Sequence, residues 1–227
     1  MVVLDPGHGG EKEGAISASG LREKDVTLAL ARRTAAVLRR HGARVLLTRT
    51  SDVAVPLARR AAMANAARAD LFVSIHANAM PGPARSVARG IETYFLSADA
   101  SDASATAVAA RENADRLAGE PEIDPADPVS GILDDLDQTS TLAESARLAY
   151  ALHDELVART RAPDRGVKQA PLYVLAGARV PAALVEVGFL SHPVESAKLA
   201  APSYADRIAG AIADAIVAWR ARGATRG

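Results

Sequence analysis

Residues 2–10, Val2-Val3-Leu4-Asp5-Pro6-Gly7-His8-Gly9-Gly10, carry an apolar, β-branched run straight into a glycine-rich turn that holds a histidine. Val2 and Val3 suit a core strand, and the glycines permit close backbone packing where larger side chains would clash. His8 is therefore expected at a strand end, facing a crevice. A strand followed by Gly7-x-Gly9 also opens the dinucleotide-binding phosphate loop. Here Lys12 stands where a third glycine would allow close helix packing, and Asp5-Pro6 separates strand from turn, so that reading is rejected. A second run, Leu71-Phe72-Val73-Ser74-Ile75, leads in the same way into His76-Ala77-Asn78. Parallel strands accept long crossovers, and open α/β sheets bind ligands beyond the carboxyl ends of their strands, so the two imidazoles are expected to converge.

A third apolar run, Ala183-Leu184-Val185-Glu186-Val187, is interrupted by a carboxylate. An ionised group in such a strand is costly unless paired, hydrogen-bonded or close to a metal. A structural ion pair with one of the many arginines satisfies that demand as well as a catalytic role does.

Between these runs the chain alternates strand and helix. A helix is expected from about Val26 to His41, with Leu30, Thr34, Val37 and Leu38 on one face and Gly42 ending it. A strand follows at Arg44–Thr48, then a helix opened by Pro56 and running to about Arg68, and a strand at Ile91–Leu96 in which Glu92 reads as a structural carboxylate. Later elements are a helix from Thr141 to Val157, strands at Leu172–Val174 and Ala183–Val187, and a final helix from Tyr204 to Arg220. The rhythm predicts an α/β fold: a single domain over residues 1–227, with a mostly parallel twisted sheet and helices on both faces. It is broken at about residues 98–139. There an alanine-rich stretch, 100–119, is expected to be helical, 120–128 a proline-rich acidic loop and 131–136 a further short helix.

With 227 residues and 49% apolar content the chain can bury one substantial core. Its formal charge is zero and no polybasic run suggests nucleic acid. No apolar stretch reaches membrane-spanning length. The absence of cysteine excludes thiolate clusters, disulfides and thiol nucleophiles. Serine-hydrolase elbows and H-E-x-x-H helices are also absent. Of the other histidines, His41 suits the negative end of a helix, His153 reads as an edge or surface residue of the Leu148, Leu152, Leu156 helix, and His192 as a helix start.

Five segments in order, Leu4-Asp5-Pro6-Gly7-His8-Gly9-Gly10, Glu23-Lys24-Asp25, Ser74-Ile75-His76-Ala77-Asn78, Arg165-Gly166-Val167-Lys168 and Val185-Glu186-Val187-Gly188-Phe189-Leu190-Ser191, make the chain resemble the zinc-dependent N-acetylmuramoyl-L-alanine amidases, in particular the family containing the cell-division amidases. The resemblance implies that His8, Glu23 and His76 are zinc ligands and that Glu186 is the catalytic carboxylate. Residue physics alone does not choose Glu23 from Asp5, Glu11, Glu13, Glu23 and Asp25, and both Glu23 and Asp25 also suit the start of a helix. For Asp25 the helix-start role is the expectation. Two imidazoles and one carboxylate make a plausible catalytic Zn2+ set, since three protein ligands leave a fourth position for water. His192 departs from the asparagine more usual in the family.

The implied reaction is hydrolysis of the amide between the lactyl group of N-acetylmuramic acid and L-alanine of peptidoglycan stem peptides, in wall remodelling and daughter-cell separation. The insertion, including Arg111-Glu112-Asn113-Ala114 and Ile132-Leu133-Asp134-Asp135-Leu136, resembles the regulatory segment of division amidases, with Glu112 expected to plug the zinc cleft. A protein activator acting on that helix, a monomeric state, and a periplasmic or extracellular site with an export signal upstream are further expectations. The alternatives are another zinc hydrolase of wall peptides or acetyl groups, and a non-enzymatic wall-binding module.

Overall fold

The computed structural model describes residues 1–117, 120 and 136–224. Its centre is a six-stranded sheet. In chain order the strands are β1 (Val2–Pro6), β2 (Val45–Leu47), β3 (Leu71–Asn78), β4 (Ile91–Leu96), β5 (Asp164–Ala170) and β6 (Ala182–Phe189). Their order across the sheet is β2-β1-β3-β6-β4-β5. The pairs β1–β2, β1–β3, β3–β6 and β4–β5 are parallel, and only β4–β6 is antiparallel. The helices are α1 (Glu23–Arg40), α2 (Leu57–Ala66), α3 (Ala103–Asn113), α4 (Leu136–Thr160), α5 (Pro193–Ala200) and α6 (Pro202–Ala224). The expected mostly parallel α/β architecture is the one observed.

The period of two in a strand decides which helix each residue meets. Val2 and Leu4, Leu71, Val73, Ile75 and Ala77, and Ala183, Val185 and Val187 share one core with the stripes of α1, α4 and α6. These stripes recur at four-residue multiples, which keep one face of a helix: Val26, Leu30 and Leu38; Leu148, Leu152 and Leu156; Ile208, Ile212 and Ile216. Leu152 is fully buried there, so Leu152→Ala is expected to cost about 2–5 kcal/mol, measured by denaturant unfolding.

On the other face, Val3, Phe72, Leu184, Tyr94 and Leu96 pack with Leu57 of α2, with Ala105, Val108 and Ala109 of α3, and with Leu172, Val174 and Leu175. This second face changes character along the strands. Val3 is followed by Asp5, Phe72 by Ser74, His76 and Asn78, and Leu184 by Glu186, all fully or almost fully buried. The polar positions lie toward the carboxyl ends of β1, β3 and β6, and they define the site.

Three local expectations need correction. Leu172–Val174 is not a strand but part of a turn whose apolar side chains cap the second core; Leu175 N–H donates to the Leu172 carbonyl at 3.0 Å. The strand lies earlier, at Asp164–Ala170, an edge strand whose partly exposed polar residues lack an apolar face. His153 is buried rather than superficial, with Nδ1 3.2 Å from Thr93 Oγ1 and Nε2 2.8 Å from Asp164 Oδ1. The alanine-rich helix ends at Asn113, with the chain turning at Ala114 and Asp115. The loop and short helix expected at 120–128 and 131–136 fall outside the described residues, apart from residues 120 and 136. Among the described residues no helix is long and apolar enough to cross a membrane. His41 caps the C-terminus of α1, and His192 caps α5, its Nδ1 accepting from Val194 N–H at 3.2 Å.

Candidate metal centre

His8 leaves the end of β1, and His76 stands near the end of β3, the neighbouring parallel strand. Their rings meet edge to face with centroids 4.9 Å apart. Glycine makes this approach possible. A Cβ at Gly7 would lie 2.4 Å from His76 Cε1, and one at Gly14, where φ is +66°, would lie 2.6 Å from both His8 Cδ2 and Glu23 Oε2.

Glu23, the first residue of α1, faces both rings: its Oε1 is 2.9 Å from His8 Nε2 and 3.2 Å from His76 Nδ1. Backbone N–H groups aim this carboxylate, Ala77 donating to Oε1 at 2.9 Å and Ala15 to Oε2 at 2.8 Å. The other nearby acids point elsewhere. Asp5 is buried against Arg60 and Ser74, Asp25 pairs with Arg22 at 2.8 Å, and Glu13 lies 3.5 Å from the same arginine. Glu11 is exposed. Asp25 thus sits in the first turn of α1, as expected for a helix-start residue.

The fourth member is Glu112. Its Oε2 is 2.9 Å from His76 Nδ1 and 3.5 Å from His8 Nε2. The stripe Ala105, Val108, Ala109 docks α3 onto the second face of the sheet, and Glu112 continues it by one turn. His8, Glu23, His76 and Glu112 are all buried, and each offers one ligand atom within 4.8 Å of the others.

Glu186 stands opposite His76 in the β3–β6 register and on the same face, beside the cluster. Its Oε1 accepts from Arg111 Nη2 at 3.2 Å, while Oε2 is buried without a hydrogen-bond partner. Arg111 also donates from Nη1 to Asn78 Oδ1 (3.0 Å) and to the Ala79 carbonyl (2.8 Å). Asn78 Nδ2 in turn donates to Glu92 at 2.8 Å. Glu92 holds the structural role expected of it, gathering Lys168 Nζ at 3.0 Å, Arg165 Nε at 2.9 Å and the Tyr94 hydroxyl at 2.9 Å.

The electrostatics are those of a cation-seeking pocket. Burial opposes charge on His8, but Glu23, Asp115 and Glu112 outweigh it and raise the imidazole to about 10. Burial likewise opposes the His76 cation, and Glu112 and Glu23 push its pKa well above the usual value. Against their own burial, the histidines hold Glu23 well below the carboxylate range and Glu112 at about 2. The imidazoles thus lean toward their cationic form and the carboxylates toward their anionic form, an arrangement in which a dication could stand in place of the imidazole protons. His76 Nε2 is buried with no hydrogen-bond partner, and His8 Nε2 and Glu112 Oε2 have ion-pair contacts at 2.9 Å without hydrogen-bond geometry, which is rare for buried polar atoms that no further ligand satisfies. Nitrogen and carboxylate donors without thiolate match zinc or another divalent first-row ion.

The family described as N-acetylmuramoyl-L-alanine amidase, Amidase_3, matches residues 2–218. The chain belongs to this amidase family. It is similar to the N-acetylmuramoyl-L-alanine amidase AmiA of Escherichia coli, 38% identical over 221 residues that cover 96% of this chain and 75% of AmiA. AmiC of Neisseria meningitidis is also 38% identical, over 95% of this chain and 51% of AmiC. Among solved structures, an N-acetylmuramoyl-L-alanine amidase from Clostridium difficile superimposes with a TM-score of 0.73 at 28% identity, covering 96% of this chain and 95% of the other. AmiC2 of Nostoc punctiforme gives 0.72 at 29% identity, with the same coverage. The amidase is accordingly a hydrolase, and its sheet is the family's.

Sequence reasoning did not find three groups that the amidase places at the cluster. Arg111 ties Glu186 to Asn78. Asp115 Oδ2 lies 3.1 Å from His8 Nδ1, on the side of the ring away from Glu23. Asn78 was legible in principle, because Ser74, His76 and Asn78 recur with period two on one face of β3. Arg111 and Asp115 had no such signal, since their positions depend on where α3 docks.

Proposed function

We propose that this amidase hydrolyses the bond between the lactyl group of N-acetylmuramic acid and L-alanine in peptidoglycan, with a zinc ion held by His8, Glu23 and His76. The observation that carries this reading is the convergence of those three side chains from β1, α1 and β3 beside Glu186. The names of AmiA and AmiC, relatives at 38% identity, support the choice of bond. When bound, zinc supplies a Lewis acid that polarises the amide carbonyl and lowers the pKa of water toward about 7.

The chain's own groups do the rest. Glu186 takes the proton of the attacking water and returns it to the leaving amine of L-alanine. Burial, together with Glu112 and Glu23 and against the pull of Arg111, raises its pKa well above the carboxylate range, which suits a group that must both accept and give up a proton. Glu23 is fixed by two backbone donors, and Asp115 engages the far nitrogen of His8, setting which nitrogen faces the cluster.

Glu112 acts as an autoinhibitory carboxylate. It takes a place in the cluster against both imidazoles, and Arg111 from the same helix engages Glu186. A protein activator that draws α3 away would release both groups at once. Action on the wall places the enzyme in the periplasm or outside the cell, where it works as a monomer.

Incubation with purified peptidoglycan is expected to release intact stem peptides bearing a free L-alanine amine. Chelation should abolish the release, and added zinc should restore it. Products cleaved elsewhere in the peptide, or released acetate, would point to a different zinc hydrolase.

A further inference from the structure

Arg60 lies 2% exposed beside the cluster, yet offers no ligand atom to it. Its guanidinium spends its donors on the turn that carries His8. Nη2 donates to the His8 carbonyl at 2.9 Å, Nη1 to the Pro6 carbonyl at 2.9 Å and to Asp5 Oδ1 at 2.9 Å, and Nε to the Val55 carbonyl at 3.0 Å. His8 itself has φ +60°, a left-handed conformation that a residue with a Cβ rarely adopts and that needs support from its surroundings. The same turn is also held by Arg49, which donates to the Pro6 and Gly7 carbonyls at 3.0 and 2.8 Å.

Asp5 links this clamp to the second histidine strand. Its Oδ2 accepts from Ser74 Oγ at 2.7 Å, and Asp5 and Ser74 are register partners on β1 and β3. Ser74 lies two residues before His76 on the same face. The chain Arg60–Asp5–Ser74 therefore connects the turn bearing His8 to the strand bearing His76.

We propose that Arg60 is a positioning residue that sets the left-handed His8 turn and its spacing from His76, and so tunes the affinity of the two-histidine site for a divalent cation. This inference rests on the metal reading above. Lysine would keep the charge against Asp5, but one ammonium cannot reproduce a planar fork reaching the Pro6, His8 and Val55 carbonyls together. Groups that orient metal ligands through direct hydrogen bonds typically govern metal affinity by about 10- to 100-fold, and the fixed backbone of the His8 turn is taken to act on the same scale.

The test is zinc affinity by chelator competition, with the visible absorption of the Co2+-loaded protein, for the wild type, Arg60→Lys and Asp5→Asn. Arg60→Lys is expected to weaken zinc about 10- to 100-fold and to alter the cobalt spectrum, while the metal-free protein still melts cooperatively. Asp5→Asn, which loosens Arg60 without emptying its slot, should shift both readouts in the same direction by less, and decides the matter if Arg60→Lys does not fold. A folded variant with wild-type affinity and an unchanged cobalt spectrum would overturn the proposal, as would loss of fold in both variants, which would make the network purely structural. A wild-type chain that takes up neither metal would instead bring down the metal reading, and this inference with it.

Discussion

Replacing Glu186 with glutamine is expected to lower turnover on peptidoglycan about 10²- to 10⁴-fold, the usual worth of a general base, while leaving fold and metal content unchanged. Glutamine keeps the shape of the side chain and a carbonyl oxygen that can accept from Arg111, but it cannot take a proton from water. Because burial, with Glu112 and Glu23, outweighs the attraction of Arg111 and disfavours the charged form of Glu186 in the folded protein, a neutral amide there should not lower the melting temperature. Parallel measurement of kcat, zinc per chain and thermal unfolding separates these effects. Retained turnover would remove Glu186 from its role.

The second large effect concerns α3. Glu112→Ala removes the carboxylate that contacts both histidines at 2.9 and 3.5 Å, and basal hydrolysis in the absence of any activator is expected to rise about tenfold or more. The logic is one of populations: every contact that Glu112 makes to the cluster favours the covered state over the open one. Arg111 still engages Glu186 in this variant, so Arg111→Ala combined with Glu112→Ala should exceed Glu112→Ala alone. Initial rates on purified peptidoglycan, with zinc content measured alongside, decide the result. A folded, zinc-loaded Glu112→Ala protein with unchanged or lower activity would contradict autoinhibition by this helix.

The site was more legible in the sequence than the elements around it, for a physical reason. A buried strand of such a sheet is apolar on both faces, so a histidine or carboxylate within it or directly after it is conspicuous; His76 and Glu186 stood out inside β3 and β6 and His8 in the turn that follows β1, and all three lie together. Glu23 was ambiguous because its neighbours in sequence are equally acidic. Only the backbone donors of Ala15 and Ala77, brought in by the turn at Gly14 and by β3, single it out. Glu112 came from a likeness to division amidases, although the stripe Ala105, Val108, Ala109, Glu112 carried an independent helical signal: a carboxylate at the end of an apolar face.

What escaped the sequence depended on tertiary contacts. The edge strand Asp164–Ala170 has no apolar alternation, because neither of its faces is deeply buried, and the apolar Leu172–Val174 that drew attention instead covers a core without joining the sheet. His153 read as superficial since its partners, the buried Thr93 and the exposed Asp164, come from separate strands. Arg60 was equally silent. An arginine in an amphipathic helix ordinarily faces solvent, as the neighbouring Arg59 does, and only the tertiary contacts to Asp5 and to the carbonyls of Pro6, His8 and Val55 explain the burial of Arg60.

The central claim is that His8, Glu23 and His76 jointly bind one metal ion. Anomalous diffraction at the zinc edge from crystals of the purified protein tests it most directly. A single peak within bonding distance of His8, Glu23 and His76 is the predicted result; zinc bound elsewhere, or no peak in protein that hydrolyses peptidoglycan, would contradict it.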